Sequence, residues 1–174
     1  MITPETKIWT WVLERECPEC GFDASSTPAV NVAALVRANA DDWRRFQAEG
    51  AIRPGRPNDT TWSSLEYACH VRDVYRVMDS RVTAMLGEDD PVFANWDQDE
   101  SAVADRYEEQ DPATVVGEVG DAAEKMAARL DSLTADDWSR PGRRSDGAAF
   151  TIDTIARYMV HDLIHHVWDL QQPS

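Results

Sequence analysis

Three of the four histidines in this chain fall in one stretch, Phe150 to Leu170 (FTIDTIARYMVHDLIHHVWDL), as His161, His165 and His166; the fourth is His70. On a helix, His161 and His165 are i and i+4, about 40° apart around the axis and roughly 6 Å along it. Two imidazoles so placed hold one metal ion from one side, and a third ligand must come from elsewhere. His70 is the remaining histidine that could supply it, so the candidate metal ligands are His70, His161 and His165.

The helix that positions the pair is well marked. Ile152, Ala156, Met159, Leu163, Val167 and Leu170 form a 3.6-period apolar stripe. His161 and His165 lie nearly opposite that stripe and share their face with Thr154, Tyr158 and Trp168. An ordinary solvated face in so acidic a chain would not read this way. The helix is therefore expected to be covered on two sides, one by the bundle and one by a pocket. His166 points elsewhere, beside the core stripe, and reads as a packed or capping histidine. Arg157 and Tyr158, one turn before His161, are the expected pocket-lining, cofactor-binding residues.

A second group of metal-ligating types sits early, in Cys17-Pro18-Glu19-Cys20-Gly21. This has the shape of half a zinc knuckle, in which glycine lets the backbone turn so that amides point at sulfur. Only Cys69 remains to add sulfur, so a tight turn with packed or redox-labile cysteines is expected ahead of a complete knuckle.

The chain has 174 residues and 43% apolar content, enough for one domain with a proper core. Its 17 basic and 32 acidic residues give a net charge of −15. Such a surface repels nucleic-acid backbones and anionic membranes. Nothing resembles a secretory leader or a transmembrane span, and three cysteines do not suggest a disulfide framework, so a cytoplasmic location is expected. Seven tryptophans suit large-area packing or a lined pocket.

Four helices are predicted. The first runs from about Pro28 to Glu49, with Thr27 as its cap, and the second from about Thr61 to Leu86, with Ser63 and Glu66 as a capping box. On the second, His70 lies at the edge of the core stripe, and Asp73 is placed to orient it. An acidic connection from Gly87 to Gln110 carries a short helix near Ser101 to Glu109, with Trp96 tucked back over the bundle. The third helix starts at Asp111-Pro112. Thr134 caps a helical turn, and Pro141 to Gly147 reads as a loop before the fourth helix. With no convincing strand pattern, the fold class is an all-α four-helix bundle.

The chain resembles the DinB-like (YfiT-like) metal-binding four-helix bundles. The carrying residues are His70 and the His161-Asp-Leu-Ile-His165 pair, with the approach Thr151 to Tyr158 and the exit His166-Val-Trp-Asp. The early Cys17-Pro-Glu-Cys-Gly-Phe-Asp looks like that of actinobacterial members. The resemblance implies a divalent metal, commonly zinc or nickel, and an up-down-down-up bundle that often dimerises. It also implies, for several members, thiol-dependent transferase or isomerase activity with bacillithiol, mycothiol or glutathione. Some relatives place a glutamate where this chain has His161.

The residues support related chemistry. A metal held by three imidazoles keeps open positions and lowers the pKa of a bound thiol. The expectation is a thiol transferase in which a small thiol of the mycothiol type attacks an electrophile. Metal-dependent hydrolysis is the near alternative. The rivals from another class are a non-catalytic metal-binding or stress-response module and a metal-free dimeric scaffold.

Overall fold

A computed structural model describes residues 9–172. The reading of the chain's opening as lacking a leader rests largely on residues 1–8, which lie outside those described.

Four long helices make the bundle: α1 (Val32–Ala48), α2 (Ser64–Gly87), α4 (Pro112–Asp131) and α5 (Ile152–Gln171), with a short α3 (Gln98–Ala104) between α2 and α4. α1 and α2 each pack against both α4 and α5, so α1 lies diagonally across the bundle from α2, and α4 from α5. The starts follow the local chemistry. Ser63 and Glu66 form the capping box of α2, Asp111 caps α4 with Pro112 in its first turn, and Thr151 caps α5 with Thr154 reciprocating. The first helix differs from expectation: Pro28 leads only a 3-10 turn, Ala29–Asn31, and α1 proper begins at Val32 without a side-chain cap. The Thr27 hydroxyl instead donates to the Asp23 carbonyl.

The apolar stripes meet in a core centred on Trp43, Tyr75, Met126, Ile155, Met159 and Leu163. Each such side chain contributes about 1.5–3 kcal/mol on burial. One polar tie crosses this core. Asn39 donates to the Leu163 carbonyl at 2.9 Å and accepts from the Tyr75 hydroxyl at 2.8 Å, joining α1, α5 and α2. It fixes the height of α5 against its neighbours.

The structure adds a small sheet that the sequence reading left out. β1 (Val92–Phe93) pairs parallel with β2 (Pro141–Arg144), which pairs antiparallel with β3 (Ala149–Thr151). Strands of two to four residues are too short to show an alternating pattern, so the expected loop from Pro141 to Gly147 is in fact half a hairpin. Gly142 lies so close to Met85 and Phe93 that a Cβ there would meet Met85 Cγ at 2.7 Å. The hairpin ends where α5 begins and so sets that helix's entry angle. Trp96 does fold back over the bundle and stacks on the His70 ring.

Candidate functional site

α5 carries two i,i+4 ligand pairs offset by one residue, His161/His165 and Asp162/His166. A one-residue offset turns a side chain by about 100° around a helix. The two pairs therefore address different neighbours.

Asp162 and His166 meet His70 of α2. Their ligand atoms and that of His70 all lie within 4.8 Å of one another. His70 Nε2 is 3.3 Å from Asp162 Oδ2, and His166 Nε2 is 3.6 Å from Asp162 Oδ1. The other nitrogen of His166, Nδ1, lies 2.9 Å from Asp169 Oδ2, which fixes the ring. Aromatic rings enclose the group: Trp96 stacks on His70 with centroids 5.3 Å apart, Trp62 lies 5.2 Å from His70, and Tyr67 5.0 Å from His166.

Electrostatics follow from this enclosure. Burial pushes the His70 imidazole down, only partly offset by Asp162. Burial opposes ionisation of Asp162, but the charge of His166 and hydrogen bonds from His166 and His70 hold its carboxyl well below the usual range. Burial likewise opposes protonation of His166, yet Asp162 and Asp169 raise it to about 9. Burial thus favours a neutral His70, while the Asp162–His166 contact favours the charged form of both partners.

His161 and His165 face the other way, toward the N-terminal segment, where their ligand atoms gather with those of Cys17 and Cys20, again all within 4.8 Å. Cys17 Sγ is 3.8 Å from His165 Nδ1. His165 Nε2 is 3.3 Å from Glu19 Oε2 and 3.8 Å from Asp169 Oδ1. His161 is 3% exposed, and its Nε2 is buried without a hydrogen-bond partner. Burial, with the neighbouring His165, pushes its pKa down to about 4. Burial also pushes the Cys20 thiol up to about 11.

The three histidines expected to share one ion are therefore divided. Among the described residues, His70 gathers with Asp162 and His166, and the His161/His165 pair gathers with Cys17 and Cys20. The reason is the register of α5: the residues aimed at α2 are those one position further on. The expected cover over the His161 face is present, and the N-terminal segment supplies it. Asp73 does not orient His70; it binds Arg72, Arg76 and the Tyr107 hydroxyl. Arg157 does not line the pocket either. It pairs with Asp153 and donates to the Ala24 and Ser25 carbonyls, tying down the N-terminal loop. Tyr158 does line the pocket.

That pocket, of about 440 Å³, has Trp9, Trp62, Tyr67, Tyr158 and Trp168 among its walls and the polar face of α5 from His161 to Asp169 along its floor. A smaller recess of about 80 Å³ adjoins it, lined by His70, Asp162, Tyr158, Arg81 and Arg144. Arg81 is 6% exposed, donates to the Ala94 carbonyl, and has no carboxylate ion-pair partner among the described residues. Sequence reasoning missed Asp162, His166 and Arg81. An Asp-x-x-x-His pair read alongside His-x-x-x-His was the available signal for the first two.

Residues 25–170 match the family model of the DinB superfamily. This chain belongs to the DinB superfamily. Its fold is also that of a solved structure described as "YfiT from Bacillus subtilis is a probable metal-dependent hydrolase with an unusual four-helix bundle topology". The two superpose with a TM-score of 0.67 at 17% identity, over 98% of this chain and 91% of that one. No curated protein sequence matches. Cys17 and Cys20 precede the residues that the superfamily model matches.

A divalent metal fits the first group on the chemistry of its donors. Two imidazole nitrogens and one carboxylate make a three-ligand set of the kind that leaves positions open. His70 is 1% exposed, burial disfavours its protonation, and the second imidazole is oriented by a carboxylate.

Proposed function

We propose that this DinB-superfamily protein is a metal-dependent enzyme that activates a small thiol for attack on an electrophile. The observation that carries the reading is the convergence of His70, Asp162 and His166, with Asp162 and His166 on the floor of an aromatic-walled pocket and His70 in the recess beside it. His70 Nε2, an Asp162 carboxylate oxygen and His166 Nε2 would hold the ion. A divalent ion such as zinc or nickel supplies positive charge that favours a thiolate over a thiol at neutral pH.

The remaining roles belong to the chain. Asp169 holds the His166 ring so that Nε2 points at Asp162. Trp62 and Trp96 pack on His70 and exclude water from it. The indole and phenol faces around the pocket offer stacking surface for a sugar-bearing thiol such as mycothiol. Burial holds the Tyr158 phenol above its usual pKa, so it remains a hydrogen-bond donor between the pocket and its recess. Arg81 in the recess, with no carboxylate ion-pair partner among the described residues, suits an electrophile carrying an anionic group.

Hydrolysis is the second reading, favoured by the fold shared with YfiT and its printed description. One experiment separates the two. Zinc- or nickel-loaded protein is assayed with candidate thiols and a generic electrophile, and in parallel with esters and amides lacking thiol. Thiol-dependent turnover that His70→Ala abolishes supports the transferase. Thiol-free turnover with the same sensitivity overturns it in favour of a hydrolase. Metal binding with neither activity overturns both and leaves a non-catalytic module.

A further inference from the structure

We infer that Cys17, Cys20, His161 and His165 form a second, structural zinc site that staples the N-terminal segment to α5. This does not rest on the reading of the His70 group, which contains no sulfur.

The donor set is complete in a way the other is not. Two thiols and two imidazoles make the Cys2His2 set that closes a tetrahedron around zinc and leaves no position for substrate. In such a site the ligand atoms stand roughly 3.3–3.8 Å apart, given Zn–S of about 2.3 Å and Zn–N of about 2.1 Å. Here all four lie within 4.8 Å of one another and Cys17 Sγ and His165 Nδ1 are 3.8 Å apart, so small side-chain movements complete the shell.

The backbone is already turned for it. The Cys17 amide donates to the Phe22 carbonyl at 3.0 Å and the Gly21 amide to the Cys17 carbonyl at 2.9 Å. Gly21 sits at φ +72, which the turn requires and other residues resist. Cys17 is fully buried, and His161 Nε2 is buried with no partner, a vacancy in hydrogen bonding that a fourth-ligand role fills. His165 Nε2, the nitrogen facing away from Cys17, is aimed at Glu19 and Asp169, which would orient the ring as a ligand's outer carboxylates do.

Charge also balances. Zinc binding releases two thiol protons to solvent, and the two thiolates neutralise the dication, so no net charge is buried among the rings of Trp9, Trp11 and Trp168. The consequence is architectural. Trp9 and Glu19 are pocket walls borne on the stapled segment, so the sulfur site holds one side of the pocket in place.

The test reads sulfur in the metal's coordination shell. X-ray absorption on zinc-loaded wild-type protein, and a thiolate-to-metal charge-transfer band after cobalt replacement, are both expected. Both persist in His70→Ala and vanish in the Cys17→Ser, Cys20→Ser double variant, which also loses one metal per chain. Its Tm falls on the order of 10 °C. A wild-type metal shell without sulfur overturns the inference even if the double variant fails to fold. So does a mass showing Cys17 and Cys20 joined as a disulfide in protein carrying its full metal content.

Discussion

The two ligand groups on α5 share a helix, a spacing and a pocket, yet differ in what they leave available. One gathers nitrogen and sulfur from the chain's two ends and closes on itself. The other gathers nitrogen and oxygen from α2 and α5 and has one donor fewer. The offset of one residue, His161/His165 against Asp162/His166, decides which neighbour each pair meets. A helix can thus carry a staple and a reactive centre on adjacent faces, and the donor count separates their roles: four closes a tetrahedron, three leaves it open.

The largest expected effect tests that division. His70→Ala or Asp162→Asn should lower kcat/KM by roughly a hundred- to a thousandfold, the several kcal/mol a metal contributes to charge stabilisation. The sulfur signature of the bound metal should be unchanged in both. Loss of sulfur ligation in His70→Ala would mean that the two groups are one site.

A third polar cluster one turn along α2 provides a structural control. Asp73 binds Arg72 and accepts from the Tyr107 hydroxyl, with Arg76 beside it. Burial would raise its pKa, but Arg72, Tyr107 and Arg76 hold it below the usual value. Asp73→Asn leaves the buried Arg72 partly uncompensated and should cost about 3 kcal/mol in urea unfolding, with metal content intact. The sign with pH is set by the depressed pKa. The stability is fully present above the unfolded carboxylate value of about 3.9 and is lost as pH falls through the lower folded value. Urea midpoints measured from pH 5 down to pH 2 should drop steeply for the wild type and less for the variant.

The bundle was legible because its signals are long. Twenty-residue stripes with capping residues at Ser63, Asp111 and Thr151 leave little choice of element. The site was legible only in part. Helical spacing identified the His161/His165 pair and an unusual face, but not what would cover it. That the covering segment brings Cys17 and Cys20 depends on a fold-back across more than 140 positions, for which a poorly periodic opening gives no local signal. In the sequence Asp162 is one of many acids in an acidic chain, and His166 reads as a neighbour of the core stripe. Only the height and rotation of α5, fixed partly by Asn39 on the Leu163 carbonyl, show that both reach His70.

Smaller effects sharpen the contrast through the outer carboxylates. Asp169 lies 2.9 Å from His166 Nδ1 but 3.8 Å from His165, so Asp169→Asn should weaken metal binding at the His70 group more than at the cysteines. Removing such an orienting carboxylate typically costs 10- to 100-fold in affinity. Competition with a chelator, following the sulfur-ligated and sulfur-free metal separately, reads the two affinities.

The smallest effect concerns Glu19, which approaches His165 Nε2 at 3.3 Å with nearly half its side chain exposed. Solvent screens such a group, so Glu19→Gln should weaken the sulfur-ligated metal by about tenfold at most. The His70 group should register the change less, because Glu19 approaches His165, on the neighbouring face of α5. Equal weakening at both groups would show that the N-terminal segment moves as a unit and that the pocket's two centres are coupled through its wall. A change confined to the cysteine site would show that the staple and the reactive centre, though one residue apart on α5, bind metal independently.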